Sequence, residues 1–251
     1  MEAILLAGGF GTRIRPLTYT RPKPLLPIAN RSLIERALDS MPKEIDTVVL
    51  PVNYLGDLIR AHFEDHPDPR LVIVDEPKPL GTGGAIKAVQ DHFEGPFLVF
   101  NADIVSSINI GEFAKFHAAK KAKASISLWK VDDPWHFGVI VPGPDGQIKS
   151  FVEKPPKGEQ PSNLINAGHY MVDLSVLDQI PKDTFVSLER EVFTPLAAEG
   201  KMFGYEFSGH WIDCGRPETY LEAHRATCER LGKKIIVGQN VKGLDGATVV
   251  S

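Results

Sequence analysis

The segment Leu6-Ala7-Gly8-Gly9-Phe10-Gly11-Thr12-Arg13 carries an apolar run into a glycine-rich turn that ends in a guanidinium. Glycine has no Cβ, so successive backbone N–H groups can close around an anion, and such a nest favours phosphate oxygens. Arg13 adds a planar, permanently charged fork suited to the same oxygens. Shortly afterwards Lys23 stands between two prolines in Arg21-Pro22-Lys23-Pro24-Leu25-Leu26-Pro27. The rings stiffen the backbone, so one ammonium group is aimed with little conformational freedom left to lose. The loop is not a Walker A motif, because no Gly-Lys-Ser/Thr follows at the required spacing. It is not a dinucleotide fingerprint either, because Ile14 occupies the place of the third glycine. A glycine turn alone is equally a tight turn, whereas the turn with Arg13 and Lys23 points to a polyphosphate.

Three further segments have the makings of a site. Pro79-Leu80-Gly81-Thr82-Gly83-Gly84-Ala85 follows a strand-like run and opens a helix. Its backbone could lie against a nucleobase and read the base edge, or it could be a glycine-rich helix entry. Asn101-Ala102-Asp103 ends the apolar run Pro96–Phe100. A carboxylate there could hold Mg²⁺, which takes one or two carboxylates plus substrate oxygens, or it could cap a helix. Trp211-Ile212-Asp213-Cys214-Gly215-Arg216-Pro217 offers a second carboxylate, with a turn or capping role as the alternative. Two acids distant in sequence but both at strand ends could share one metal. Cys214 has no matched histidine and reads as a small buried residue.

Phe151-Val152-Glu153-Lys154-Pro155-Pro156 closes a strand with an acid–base pair. The carboxylate could accept sugar hydroxyls and the ammonium could hold a sugar phosphate, or the two could form a surface ion pair. Asn166-Ala167-Gly168 fits a sugar contact or a β-bulge. His136, His169 and His210 show no ligand spacing and receive no role.

The elements that must position these groups alternate in the first half. Ala3–Leu6, Thr47–Val52, Leu71–Val74 and Pro96–Phe100 read as strands. Ser32–Met41, Leu55–Phe63 and Gly84–Phe93 show helical period, the second with Leu55, Leu58, Ile59 and Phe63 on one side. This rhythm predicts an α/β fold with a mainly parallel sheet flanked by helices, its ligands at the C-terminal ends of the strands. Beyond about residue 123, Ala124–Val131, Gly138–Val141, Ile148–Val152 and Leu164–Val172 predict an antiparallel insertion or a lid over the first sheet. Helical patterns return at Leu188–Glu199 and Pro217–Leu231. The tail Ile235-Ile236-Val237-Gly238-Gln239-Asn240-Val241 reads either as a first turn of a left-handed hexapeptide β-helix or as a simple strand.

The 251 residues carry 28 basic and 32 acidic side chains and a formal charge of −4, which argues against a nucleic-acid protein working through bulk electrostatics. Cys214 and Cys228 are the only cysteines and suggest neither a disulfide framework nor a structural zinc site. Glu2 stands where a signal peptide wants a basic residue, and no run approaches the roughly 18 apolar residues of a membrane span. A cytoplasmic protein without a membrane partner is expected.

Together the motifs, in their order, resemble the nucleoside-diphosphate-sugar pyrophosphorylases, the sugar-1-phosphate nucleotidyltransferases, from residue 2 to about 232. The resemblance implies a Rossmann-like nucleotidyltransferase domain over 1–232, with a nucleotide half to about 123, an antiparallel sugar half from about 124, and a short tail over 233–251. It implies that Leu6, Ala7, Gly8, Gly9, Gly11, Thr12, Arg13 and Lys23 hold the triphosphate, and that Gly81, Thr82, Gly83 and Gly84 meet the base. Asp103 and Asp213 would ligate Mg²⁺, with Arg13, Lys23 and Asp103 catalytic. Gly138, Glu153, Lys154, Asn166 and Gly168 would bind the sugar phosphate.

Within that family Arg15-Pro16-Leu17-Thr18, Lys23–Pro27 and Ile28-Ala29-Asn30 look most like mannose-1-phosphate guanylyltransferases, and Leu80–Ile86 is similar to a heptose-1-phosphate guanylyltransferase segment. Relatives that use thymidylyl or uridylyl groups often carry a glutamine where Gly84 stands, so its absence favours GTP, with a uridylyltransferase as the alternative. Ala102 replaces the usual glycine before the metal aspartate, and the tail is shorter than in members with a full β-helix. Assembly as a homo-oligomer stays open. Outside this class the rivals are a non-catalytic regulatory homologue and an NAD-type dehydrogenase, the second disfavoured by Ile14.

Overall fold

The computed structural model describes residues 1–232, so the tail read as the start of a β-helix lies outside the described residues. In chain order the strands are β1 (Glu2–Leu6), β2 (Pro27–Ile28), β3 (Arg31–Ser32), β4 (Thr47–Val52), β5 (Leu71–Asp75), β6 (Phe97–Asn101), β7 (Ile104–Ser106), β8 (Ala124–Lys130), β9 (Gly138–Pro142), β10 (Ile148–Glu153), β11 (Leu164–Val172), β12 (Met202–Glu206) and β13 (Trp211–Asp213). The helices are α1 (Leu33–Ser40), α2 (Gly56–Asp65), α3 (Gly81–Ala88), α4 (Ile110–Lys120), α5 (Thr194–Ala198) and α6 (Pro217–Arg230).

Strands β5, β4, β1 and β6 lie side by side and parallel in that order. The chain thus moves outward from β1 to β5 and then crosses back to β6 on the other side of β1. In open α/β sheets a ligand crevice opens at the carboxyl ends of the strands where the order reverses. Here that point lies between β1 and β6, where the glycine loop and Asn101-Ala102-Asp103 emerge. Ala3, Ile4, Leu5 and Phe97, Leu98, Val99 are fully buried, as parallel strands covered on both faces require. One face is packed by Ile34, Ala37 and Leu38 of α1, Ile59 and Phe63 of α2 and Ile110 and Phe113 of α4. The other is packed by Ile86 of α3 with Leu188, Val192 and Phe193.

The second half does not lie over this sheet; it extends it. The end of β11, His169–Val172, pairs antiparallel with β6, while β8 pairs along the other edge of β11 and β9 meets it at Ile165. The result is one nine-stranded sheet, with β12 joined parallel to β8 at the far edge. A separate two-stranded ribbon, β7 with β13, sets Asp213 opposite Ile104. At its outer end Ser107 N–H donates to the His210 carbonyl at 3.0 Å, and His210 N–H donates to Ser107 Oγ at 2.9 Å.

Several boundaries differ from the sequence reading for identifiable reasons. Leu58 is 42% exposed. Helix α2 starts at Gly56 behind a left-handed Leu55, so its buried stripe is Ile59 and Phe63. The helix expected over 84–93 begins earlier, at Gly81, and ends at Ala88. Leu188–Phe193 forms a π-helical turn that runs into α5. Among the described residues no helix is long and apolar enough to cross a membrane.

Candidate active site

A cleft of about 300 Å³ opens at the β1/β6 junction. It is lined by Leu6, Ala7, Gly8, Gly9, Gly11, Thr12, Arg13, Lys23, Thr82, Asn101 and Asp103. The loop is anchored from below: Thr18, fully buried, donates from Oγ1 to the Gly11 carbonyl at 2.7 Å. Gly11 takes φ 57°, and a Cβ there would sit 2.8 Å from Thr18 Cγ2, so glycine is required on both counts. Lys23 opens a short 3₁₀ turn, Lys23–Leu25, and its ammonium forms an ion pair with the Asp103 carboxylate.

Asp103 caps no helix. It sits in the tight link between β6 and β7, where Ala102 is buried and avoids positive φ, so alanine serves in the place of glycine. The β7–β13 ribbon then carries Asp213 to its side, and the Cys214 N–H donates to the Asp103 carbonyl at 2.9 Å. Burial pushes the Asp213 carboxyl above its usual range, reinforced by the negative charge of Asp103 and opposed by Lys23 and Arg13. Asp213 Oδ1 is buried and meets no hydrogen-bond donor. Gly215 makes room for the cluster, since a Cβ there would lie 2.8 Å from that oxygen and 2.9 Å from Arg13 Nη2. An orphaned carboxylate oxygen beside a second carboxylate is a donor set that fits a hard divalent cation sharing its shell with substrate oxygens. Among the described residues no group of three or more metal-ligating side chains exists, so the protein alone offers no cage. Cys214 is fully buried and its thiol is pushed up to about 12, chiefly by burial, so it is no nucleophile.

On the other side of the glycine loop lies a second, more apolar pocket of about 240 Å³. Gly8, Gly9, Gly81 and Thr82 line it with Phe10, Pro51, Tyr54, Glu76 and Phe185. Phe10 and Tyr54 meet with ring centroids 5.2 Å apart. Gly83 and Gly84 do not present backbone to this pocket, contrary to the sequence reading. Both are buried, and their N–H groups donate to the Val186 carbonyl at 2.9 and 3.3 Å. Their role is close packing, because a Cβ on Gly84 would meet the Thr184 carbonyl oxygen at 2.5 Å.

A wider cavity of about 1160 Å³ continues from Arg13 and Asp213 to Gly138, Glu153, Lys154 and Asn166. Gly138 faces Glu153 across β9 and β10, and a Cβ there would sit 2.8 Å from Glu153 Oε2. Burial pushes the Glu153 carboxyl up, opposed by Lys154, whose Nζ lies 3.4 Å away. Asn166 donates from Nδ2 to the Tyr170 hydroxyl and accepts at Oδ1 from the Gly168 N–H, each at 2.9 Å. It therefore holds the bulge that interrupts the β11–β8 pairing between Asn166 and Tyr170. Gly168 is buried at φ 81° against Asn101 and Ile104 and lines a small side pocket with Asp103 and Asp213.

Sequence reasoning passed over Glu76, Tyr54, Phe185 and Glu189. Glu189 accepts from Thr82 Oγ1 at 2.9 Å and thereby ties the start of α3 to the wider cavity. The apolar spacing of Leu188–Glu199 announced a helix there, but not the π-helical turn that delivers Glu189.

The strand order, the glycine loop and the neighbouring carboxylates accord with one family, and the chain belongs to it: the nucleotidyl transferase family, whose profile matches residues 2–230. Mannose-1-phosphate guanylyltransferase 1 of Arabidopsis thaliana is 36% identical, over 93% of this chain and 66% of its own length. The mannose-1-phosphate guanyltransferase of Schizosaccharomyces pombe is also 36% identical, over 88% of this chain and 62% of its own length. The chain thus spans about two thirds of the length of these relatives. Among solved structures, HddC from Yersinia pseudotuberculosis is similar with a TM-score of 0.74 and 28% identity, over 92% of this chain and 99% of that one.

Proposed function

We propose that the protein joins a nucleoside triphosphate to a sugar 1-phosphate with release of pyrophosphate, and that its substrates are GTP and mannose 1-phosphate with Mg²⁺ as cofactor. The observation that supports this reading is that Arg13, Lys23 and Asp103 line one cleft at the β1/β6 junction, with Asp213 beside them in the adjoining polar cavity and an apolar pocket on the other side. The relatives named for guanylyl transfer to mannose 1-phosphate, and a solved HddC structure in complex with GMP-PN, support the choice of substrates.

The chemistry needs no protein nucleophile. An oxygen of the sugar 1-phosphate is already anionic and attacks the α-phosphorus in line, while the bond to the bridging oxygen breaks and pyrophosphate leaves with that electron pair. The barrier is the mutual repulsion of two polyanions and the charge that gathers on the leaving group, so positioning and electrostatics dominate. Arg13 neutralises the departing charge. Lys23 and Lys154 align the two reacting phosphates from opposite sides. Asp103 and Asp213 would hold a divalent cation, which when bound would supply further charge neutralisation. Retention of all four charged groups argues against a non-catalytic homologue. The test is a matrix of the four nucleoside triphosphates against mannose, glucose and heptose 1-phosphates, scored for pyrophosphate. GTP with mannose 1-phosphate should lead, and no release from any pair would refute the reading.

A further inference from the structure

Among the described residues Glu76 is the only charged side chain lining the pocket between Phe10, Tyr54 and Phe185. It is held in place from three sides. Its N–H donates to the Val52 carbonyl at 2.8 Å, its own carbonyl accepts from Asn53 Nδ2, and its Oε1 accepts from the Leu80 N–H at 3.0 Å. Oε2 accepts from no described group and faces the glycine loop, where a Cβ on Gly8 would lie 3.9 Å away. An apolar slot thus contains one fixed, acceptor-only group with unspent lone pairs.

Nucleobases differ in what they offer such a group. Guanine presents two adjacent donors, N1–H and N2–H, that match the two oxygens of a carboxylate. Uracil and thymine present one N–H flanked by carbonyl oxygens, which a carboxylate repels. Adenine and cytosine set an amino group beside a ring nitrogen whose lone pair does the same. We propose that Glu76 is the guanine-reading residue of this protein, accepting N1–H and N2–H while the rings of Phe10, Tyr54 and Phe185 flank the base. The proposal rests on the nucleotidyltransferase reading in that it takes this pocket as the base pocket.

The test measures equilibrium binding of GTP, ITP, UTP and ATP to the full chain with Mg²⁺, for wild type and Glu76→Gln, alongside pyrophosphate release. Inosine lacks only the 2-amino group, so wild type should bind ITP about 10-fold more weakly than GTP. Glutamine keeps an acceptor for Leu80 but turns a donor toward the base, so Glu76→Gln should weaken GTP about 10- to 100-fold. In the variant the gap between GTP and ITP should close, and UTP should bind no worse than to wild type. Equal binding of GTP and ITP by wild type overturns the proposal, and that comparison needs no folded variant. A Glu76→Gln protein that keeps the wild-type preference for GTP overturns it as well. A guanine preference that disappears with Glu76→Gln supports the proposal even if no pyrophosphate is released, an outcome that would remove only the catalytic reading.

Discussion

Replacing Lys23 by methionine keeps the apolar stem of the side chain and removes its charge. In the free protein that ammonium is bound to Asp103, with the lysine side chain 12% exposed and the aspartate 35%. A hydrogen bond to a charged partner at such a depth contributes about 1.5–3 kcal/mol. A domain of this kind is stable by about 5–15 kcal/mol, so even the larger loss leaves well over nine tenths of the molecules folded. Catalysis should suffer far more. A preorganised charge aimed at phosphoryl oxygens contributes about 2.7–4 kcal/mol to the transition state, so turnover should fall about 10²- to 10³-fold. The melting temperature should fall by only about 3–12 °C. The assay is pyrophosphate release at saturating GTP and mannose 1-phosphate, with thermal unfolding of the same sample. Turnover of Lys23→Met within about threefold of wild type would refute the assigned role.

The metal reading predicts that Asp103→Asn lowers turnover by about 10³-fold or more with unchanged circular dichroism, and that EDTA does the same to wild type because Lys23 already balances part of the charge in the metal-free cleft. Wild-type turnover in either case removes the metal role. Gly138→Ala would press a methyl group to 2.8 Å from Glu153 Oε2 and 3.0 Å from the Phe151 ring. The KM for the sugar phosphate should rise about tenfold with that for GTP little changed; equal rises in both would place Glu153 outside the sugar subsite. His169 is fully buried between Ser106 and Ser127, and burial pushes its imidazole down to about 3. An unfolded histidine titrates near about 6.5, so below that pH the unfolded chain takes up a proton that the folded chain refuses. The stability it contributes is complete above about pH 6.5 and is lost toward about pH 3, by at most about 1.4 kcal/mol per unit. Urea unfolding at pH 7 and pH 5 should show a smaller drop for His169→Gln than for wild type; an equal drop sinks the argument.

Much of the nucleotide side was legible because each part of it is local. A continuous apolar run such as Ala3–Leu6 can only be a buried strand or helix segment, and the glycines that follow cut it to strand length. The glycine loop and Asp103 lie next to such runs. What the sequence hides is juxtaposition. The β7–β13 ribbon has three residues per strand, too few for any period to show. Yet it makes neighbours of two aspartates more than a hundred residues apart. The apolar pocket joins Phe10 of the glycine loop to Tyr54, Glu76 and Phe185 from three further segments, which the sequence reading had not singled out. Helix α4 went unread, although Asn109 caps it by accepting from the Glu112 N–H and Ile110, Phe113 and His117 form its buried stripe. Gly83 and Gly84 mislead because glycines that admit a ligand and glycines that admit a neighbouring backbone look alike in one dimension.

The hydrogen bonds between Ser107 and His210 have a meaning for ancestry and for engineering. The polypeptide departs from the first sheet at one doorway and comes home through the same doorway, with Gly138, Glu153, Lys154 and Asn166 of the wider cavity threaded between. An excursion closed at its neck can be lengthened, shortened or traded at little loop-closure cost. It is tied to the rest of the molecule by the seam where β11 lies along β6, by α4 on the parallel sheet, and by the contacts of residues 186–193 with α3. A scaffold wired this way can keep the cleft at the β1/β6 junction and vary the walls of the wider cavity beside it.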